Sequence, residues 1–273
     1  MIRLEEIPPP EDADEIREFE LARIRRDFID RGTLPAHDDF GSLYCGRGER
    51  KPWRARLLDG QHRKCAFCET KEQERYRTVE HLRPKARARR QNGDESSGYW
   101  WLAWSWSNLV FACQGCNSDK NCDYPLARTS RPLVAEQQPP GREVPLLIDP
   151  RQESAIEYIQ FRHVPVAPFY WRPFPRDNSA RGHWTIHHYG LARDELLSLY
   201  ADWVRDTLTP IVADLRESLA THAPARVQQD WARLTRRWLY APSQPFRGLT
   251  FDVLDQSFPP AIRQRYTLPL PPP

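Results

Sequence analysis

Two cysteine pairs dominate the chemistry open to this 273-residue sequence. Cys65-x-x-Cys68 and Cys113-x-x-Cys116 stand 44 residues apart. A C-x-x-C turn aims two sulfurs at one point, and two such turns supply the four tetrahedral ligands that Zn²⁺ prefers. A site closed by four thiolates has no open position for a substrate, so its role is structural. A redox use is the competing reading, but neither pair sits in a thioredoxin-like βαβ pattern. Cys45 and Cys122 are left over and read as ordinary free thiols.

The polar residues between and after the pairs form an ordered series. Glu80 and His81 end a strand-like run, Arg77 to His81, and Asn108 opens a second, Asn108 to Ala112. Asn117 follows Cys116 directly, and Lys120 comes three residues later. Hydrolysis of a phosphodiester needs an activated water, a sink for developing negative charge and a stabilised leaving oxygen. His81 suits a general base because histidine titrates near neutrality. Glu80 and Asn117 offer oxygens, which suit Mg²⁺ or Mn²⁺ acting as a Lewis acid. Adjacent strand residues point to opposite faces, so Glu80 and His81 share a site only if the strand ends there in a bend. Asn108 reads as a scaffold that hydrogen-bonds backbone and holds His81 in line. Lys120 and Lys85 would neutralise phosphate, although Lys120 reads equally well as a solvated side chain.

The order C-x-x-C, E-H-x-x-P-K, N-L-V, C-x-x-C-N-x-x-K resembles the HNH endonuclease family from Cys65 to about Leu126. That resemblance implies two short antiparallel strands and a helix clasping one metal ion, with His81, Glu80, Asn108 and Asn117 as the catalytic set. The four-cysteine form, with an Asn right after the last Cys, is also similar to phage junction-resolving endonucleases. The family more often has Asp or His where Glu80 stands; Glu keeps the charge but is one methylene longer. More narrowly, the strings CAFCE, EHLRPK, WSNLVFACQGCNSDKNCDYPL and TIHHYGL resemble the HNH subunit of Septu-type antiphage systems and its retron-associated relatives, the PtuB-like proteins. This implies an antiphage effector acting on nucleic acid, DNA first, under an ABC/SMC-like partner ATPase of the PtuA-like type. The chain has no G-x-x-x-x-G-K-[ST] of its own, which fits such a division of labour. A stand-alone restriction or recombination nuclease, and a non-catalytic zinc-held nucleic-acid-binding module, are the alternatives.

The elements that must position these residues give an α+β, mainly helical expectation: a small ββα-metal module with structural zinc, flanked by helices. Residues 1–44 form an acidic segment with a helix over Ala13 to Asp30, its apolar residues Ile16, Phe19, Ile24 and Phe28 at roughly helical spacing. Residues 45–131 are the nuclease module, with a short helix over Pro52 to Gln61. Residues 132–273 are a mainly helical, partner-binding region. It carries short strands at Leu146 to Ile148 and Glu157 to Arg162, and helices over Ala192 to Ala220 and Val227 to Tyr240, the first broken or kinked by Pro210.

Composition sets the outer bounds. Hydrophobic residues are 40% and aromatics 11%, enough to fill a core, so wholesale disorder is excluded. The net charge of +3 hides a polarity: residues 1–44 carry −6, 45–131 carry +8 and 132–273 carry +1. The acidic segment could dock on a partner or shield a basic cleft. Arg83, Lys85, Arg87, Arg89 and Arg90 read either as a solvated loop or as an arm that tracks phosphates beside Lys120. Trp100, Trp101, Trp104 and Trp106 read as a packed or partner-facing surface before a base-stacking one. His183, His187 and His188 read as packing before a second metal site. The uncharged stretch Ser96 to Ser118 is too rich in Ser, Asn, Gln and Gly for a bilayer span. Met1 to Pro10 lack an apolar core, so a secretory signal is not expected and the cytoplasm is.

Overall fold

The NLV-F-A run becomes a strand because its side chains are apolar on both faces and both faces are covered. In the computed structural model, which describes residues 3–40, 53–72, 78–165 and 171–272, strand β4 (Leu109–Ala112) is buried along its whole length. It pairs antiparallel with β1 (Thr78–His81), setting Glu80 opposite Val110 and His81 opposite Leu109. Helix α2 (Trp53–Gly60) packs on β4 and buries Trp53, Leu57 and Leu58. Just beyond it, the Gln61 side chain meets the outer edge of β4, accepting from the Phe111 N–H at 2.8 Å and donating to the Phe111 carbonyl at 2.9 Å. Helix α3 (Gln114–Lys120) follows β4 and completes a ββα unit. Cys45, the first residue of the Arg77 to His81 run and the start of the Pro52 to Gln61 segment lie outside the described residues.

The stretch between β1 and β4 folds back on this unit. Strands β2 (Arg87–Arg89) and β3 (Glu95–Ser97) form a hairpin. Gly98 closes it where any Cβ would come within 2.5 Å of the Lys85 carbonyl oxygen. Trp100, Trp101 and Trp104 are buried, and half-buried Trp106 donates to the Ile7 carbonyl at 2.7 Å. The tryptophans are therefore core, turned inward together, and present no platform for bases.

The carboxy-terminal part adds a hairpin, β5 (Ile159–His163) and β6 (Trp171–Pro175), and six helices: α4 (Ala180–His188), α5 (Asp194–Trp203), α6 (Thr209–Thr221), α7 (Pro224–Thr235), α8 (Arg247–Ser257) and α9 (Pro260–Tyr266). With three two-stranded sheets among the described residues, the fold is α+β and mainly helical, as expected. One apolar core runs from Ala13 to Leu270. Among the described residues no helix is long and apolar enough to cross a membrane.

Two expectations shift. Helix α1 (Ala13–Asp27) stops earlier than the pattern suggests and buries Ala13, Leu21 and Ile24, leaving Phe19 69% exposed. Leu146 to Ile148 does not form a strand. Prolines flank it, and the Ile148 N–H goes to the Thr185 hydroxyl rather than to a ladder. The kink or break expected at Pro210 takes the form of a widened π turn over Val204–Leu208 between α5 and α6, with Pro210 in the first turn of α6.

A buried carboxylate ties the stretch between β1 and β4 to residues 133–143. Glu143 accepts from Arg83 Nε at 2.8 Å, from the Tyr99 hydroxyl and from the Leu133 N–H at 3.3 Å. Glu143→Ala strands a buried guanidinium, so urea denaturation should register a loss of about 3–5 kcal/mol. An unchanged midpoint would show that the network carries no such weight.

Candidate active site

The four cysteines come together as their spacing demands. Cys113 is the N-cap of α3, and its sulfur accepts from the Cys116 N–H at 3.5 Å. Cys65 does the same for the Phe67 N–H at 3.5 Å. All four thiols are buried, with their sulfurs within 4.8 Å of one another and Cys68 and Cys113 3.6 Å apart. Zn–S bonds of about 2.3 Å in a tetrahedron need sulfurs about 3.8 Å apart, so the cluster fits a structural zinc ion.

Its surroundings come from far along the chain. Arg193 sets one nitrogen 3.6 Å from Cys116 Sγ and another 3.7 Å from Cys113 Sγ, and it donates to the Tyr189 and Gly190 carbonyls. A guanidinium there offsets the negative charge that four thiolates would bring. Tyr189 stacks on Phe67 at 3.7 Å. Gly190 has φ +55°, and a Cβ there would lie 1.9 Å from Asp119 Oδ2 of α3. Nothing in the spacing of residues 189–193 signals this role, which was missed from sequence.

Beside the cluster opens a cleft of about 970 Å³, lined by Glu80, His81, Lys85, Arg87 and Asn117 among others. His81 is the last residue of β1 and the chain bends at Leu82–Arg83, the condition for its sharing a site with Glu80. His81 Nε2 lies 3.0 Å from the Ala103 carbonyl. A carbonyl can only accept, so neutral His81 carries its proton on Nε2 and its lone pair on Nδ1. Burial, followed by the neighbouring Lys85 cation, holds the imidazole well below its usual 6.5. It is thus neutral at pH 7, the form a base requires. Asn108 grips the backbone on both sides: its carbonyl oxygen accepts from the Arg83 N–H at 2.8 Å, and its amide donates to the carbonyls of Arg83 (3.0 Å) and Leu102 (3.1 Å). It thereby joins the turn after His81 to the loop that supplies Ala103.

Glu80 is buried and accepts from Lys120 Nζ at 2.5 Å; Lys120 also donates to the His81 carbonyl at 3.0 Å. Burial pushes the Glu80 carboxyl up, and the Lys120 ammonium pulls against it. Asn117 sits half-buried on α3, one turn before Lys120. Glu80 and Asn117 both line the cleft, a carboxylate and an amide, which are groups of the kind that Mg²⁺ and Mn²⁺ take as oxygen ligands.

The expected phosphate contacts divide. Arg83 is buried against Glu143 and Lys120 against Glu80, so neither presents its charge to the cleft. Both are corrections, and the reason is the same: a buried charge needs its counter-ion. Lys85 lines the cleft, 5.2 Å over the Phe40 ring, its ammonium lowered to about 8 by burial against the pull of Glu80 and Asp38. Arg87 is exposed. Arg54 and His37, not singled out from sequence, also line the cleft, and residues 35–37 of the acidic segment form part of its wall. His188 hydrogen-bonds Asp123 at 2.8 Å and stacks on Trp184; among the described residues only the four cysteines form a metal-type group.

A ββα unit thus stands beside a four-cysteine cluster, and its glutamate–histidine strand end lines a cleft. Over 147 residues the chain is 33% identical to the Septu protein PtuB of Bacillus mycoides (strain KBAB4). The match covers 52% of this chain and 48% of that protein, so the chain spans about half the length of its relative and is PtuB-like over that stretch. No protein-family model and no solved structure matches it.

Cys113→Ser should release zinc and lower the melting temperature, because metal binding is folding energy in such a site; a variant that melts like the wild type would refute the assignment. A second expectation concerns pH. With its folded pKa depressed, His81 binds fewer protons folded than unfolded, so its stabilisation is complete above 6.5 and lost as pH falls below it. His81→Gln should flatten the stability–pH curve below 6.5, measured by urea denaturation across that range.

Proposed function

We propose that the chain is a metal-dependent HNH endonuclease that hydrolyses phosphodiester bonds of DNA in the cytoplasm, as the effector of an antiphage system governed by a PtuA-like, ABC/SMC-like partner ATPase. The observation that carries the nuclease reading is the meeting, in one cleft, of a neutral histidine with a glutamate and an asparagine held by the ββα unit. The likeness to a Septu protein supports the defence context.

His81, with its lone pair on Nδ1, takes the proton of the attacking water. The Ala103 carbonyl fixes the tautomer, and Asn108 fixes the turn that aims the ring. Glu80 and Asn117 would hold Mg²⁺ or Mn²⁺, which supplies Lewis acidity to the phosphate and its leaving oxygen. Lys85, buried in the cleft wall, and exposed Arg87, paired with Glu95 at 3.5 Å, bring positive charge to the cleft and would attract the nucleic-acid backbone.

His81→Ala should lower DNA cleavage about 10²–10⁴-fold while leaving zinc content and the fold intact. Cleavage at the wild-type rate would end this mechanism. Purification of the chain with the ATPase encoded beside it tests the defence reading, and failure of the two to form a complex would count against it.

A further inference from the structure

Lys120 closes α3, and its side chain has no exposure to solvent. It spans two backbone elements by donating to Glu80 Oε1 and to the His81 carbonyl. Freeing it to meet a substrate phosphate would leave Glu80 without its counter-ion in a buried place. Its work is therefore on the protein side of the cleft. The ammonium occupies Oε1 of Glu80, and among the described residues no donor reaches Oε2. Glu80 lines the cleft, and of its two oxygens Oε2 is the one without a competing donor.

Cations differ in how they use a carboxylate. Mg²⁺ and Mn²⁺ accept a single oxygen and fill an octahedron with water, whereas Ca²⁺ gathers about six to eight oxygens and readily takes both from one carboxylate. Resting on the reading that a divalent ion binds at Glu80 and Asn117, we infer that Lys120 is a positioning residue that restricts Glu80 to one-oxygen ligation and so makes the cleft select small octahedral cations over Ca²⁺. Asn117 and Lys120 lie on the same short helix, so the clamp that limits Glu80 also fixes the distance to the second oxygen donor.

The test is a titration of the zinc-loaded full chain with Mn²⁺, followed by the paramagnetic resonance of the free ion, with Ca²⁺ as competitor. Wild type binds Mn²⁺ in the cleft and Glu80→Gln loses that binding. In Lys120→Met, close in volume but uncharged, the ratio of the Ca²⁺ to the Mn²⁺ Kd falls about tenfold. In Lys120→Arg the guanidinium forks across both carboxylate oxygens, and Mn²⁺ binding weakens about 10–100-fold although the charge is kept. A merely structural cation would make arginine the milder change. Zinc content identifies folded variants, and either variant alone carries the test. Equal Mn²⁺ binding by wild type and Glu80→Gln, or none by either, overturns the reading of the cleft. Glu80-dependent binding with an unchanged ratio in Lys120→Met, or wild-type Mn²⁺ binding in Lys120→Arg, overturns the role of Lys120 alone.

Discussion

Helix α3 is seven residues long, and a helix that short has no stability of its own in water. The geometry of the cleft depends on its being held from outside. At its start, Cys113 and Cys116 tie it to the Cys65–Cys68 turn; at its end, Lys120 ties it to β1 through Glu80. Asn117 lies between the two fastenings and inherits its position from both. Remove either end and the distance between the oxygen of Asn117 and that of Glu80 is no longer defined.

The second consequence reaches the far part of the chain. Four thiolates around one divalent ion leave an excess of two negative charges, and burying that excess needs a nearby cation. Arg193 meets the need from the turn before α5, and Gly190 and Tyr189 let that turn approach closely enough. The helical region is thus part of the electrostatics of the cysteine cluster as well as a neighbour of it.

This divides what could be read in the sequence from what could not. Cys65, Cys68, Cys113 and Cys116, the two strands and the short helix α2 follow from spacings a few residues long, because a C-x-x-C turn, a strand or a helix is a local object. The partners of Arg83 and Lys120 are not local. Glu143 lies 60 residues from Arg83, and Glu80 lies 40 from Lys120. A lysine or arginine in a basic run reads as solvated until its carboxylate is found in space. Phe19 failed in the other direction: it shares a helical period with Ile16 but falls on the wrong side of α1 once Leu21 and Ile24 set the buried face. Of the partners of Arg83 and Lys120, Glu80 is already counted in the +8 of residues 45–131, whereas Glu143 lies outside that segment and offsets one further charge of it.

The small size of the β1–β4 sheet has a cause in Gln61. Its carboxamide satisfies the donor and the acceptor of Phe111 together, which is what a neighbouring strand would do. A side chain thus terminates the sheet, so the edge of β4 is closed to strand exchange with another copy or to an extended peptide. Growth of the β1–β4 sheet on that side is therefore blocked by a single carboxamide.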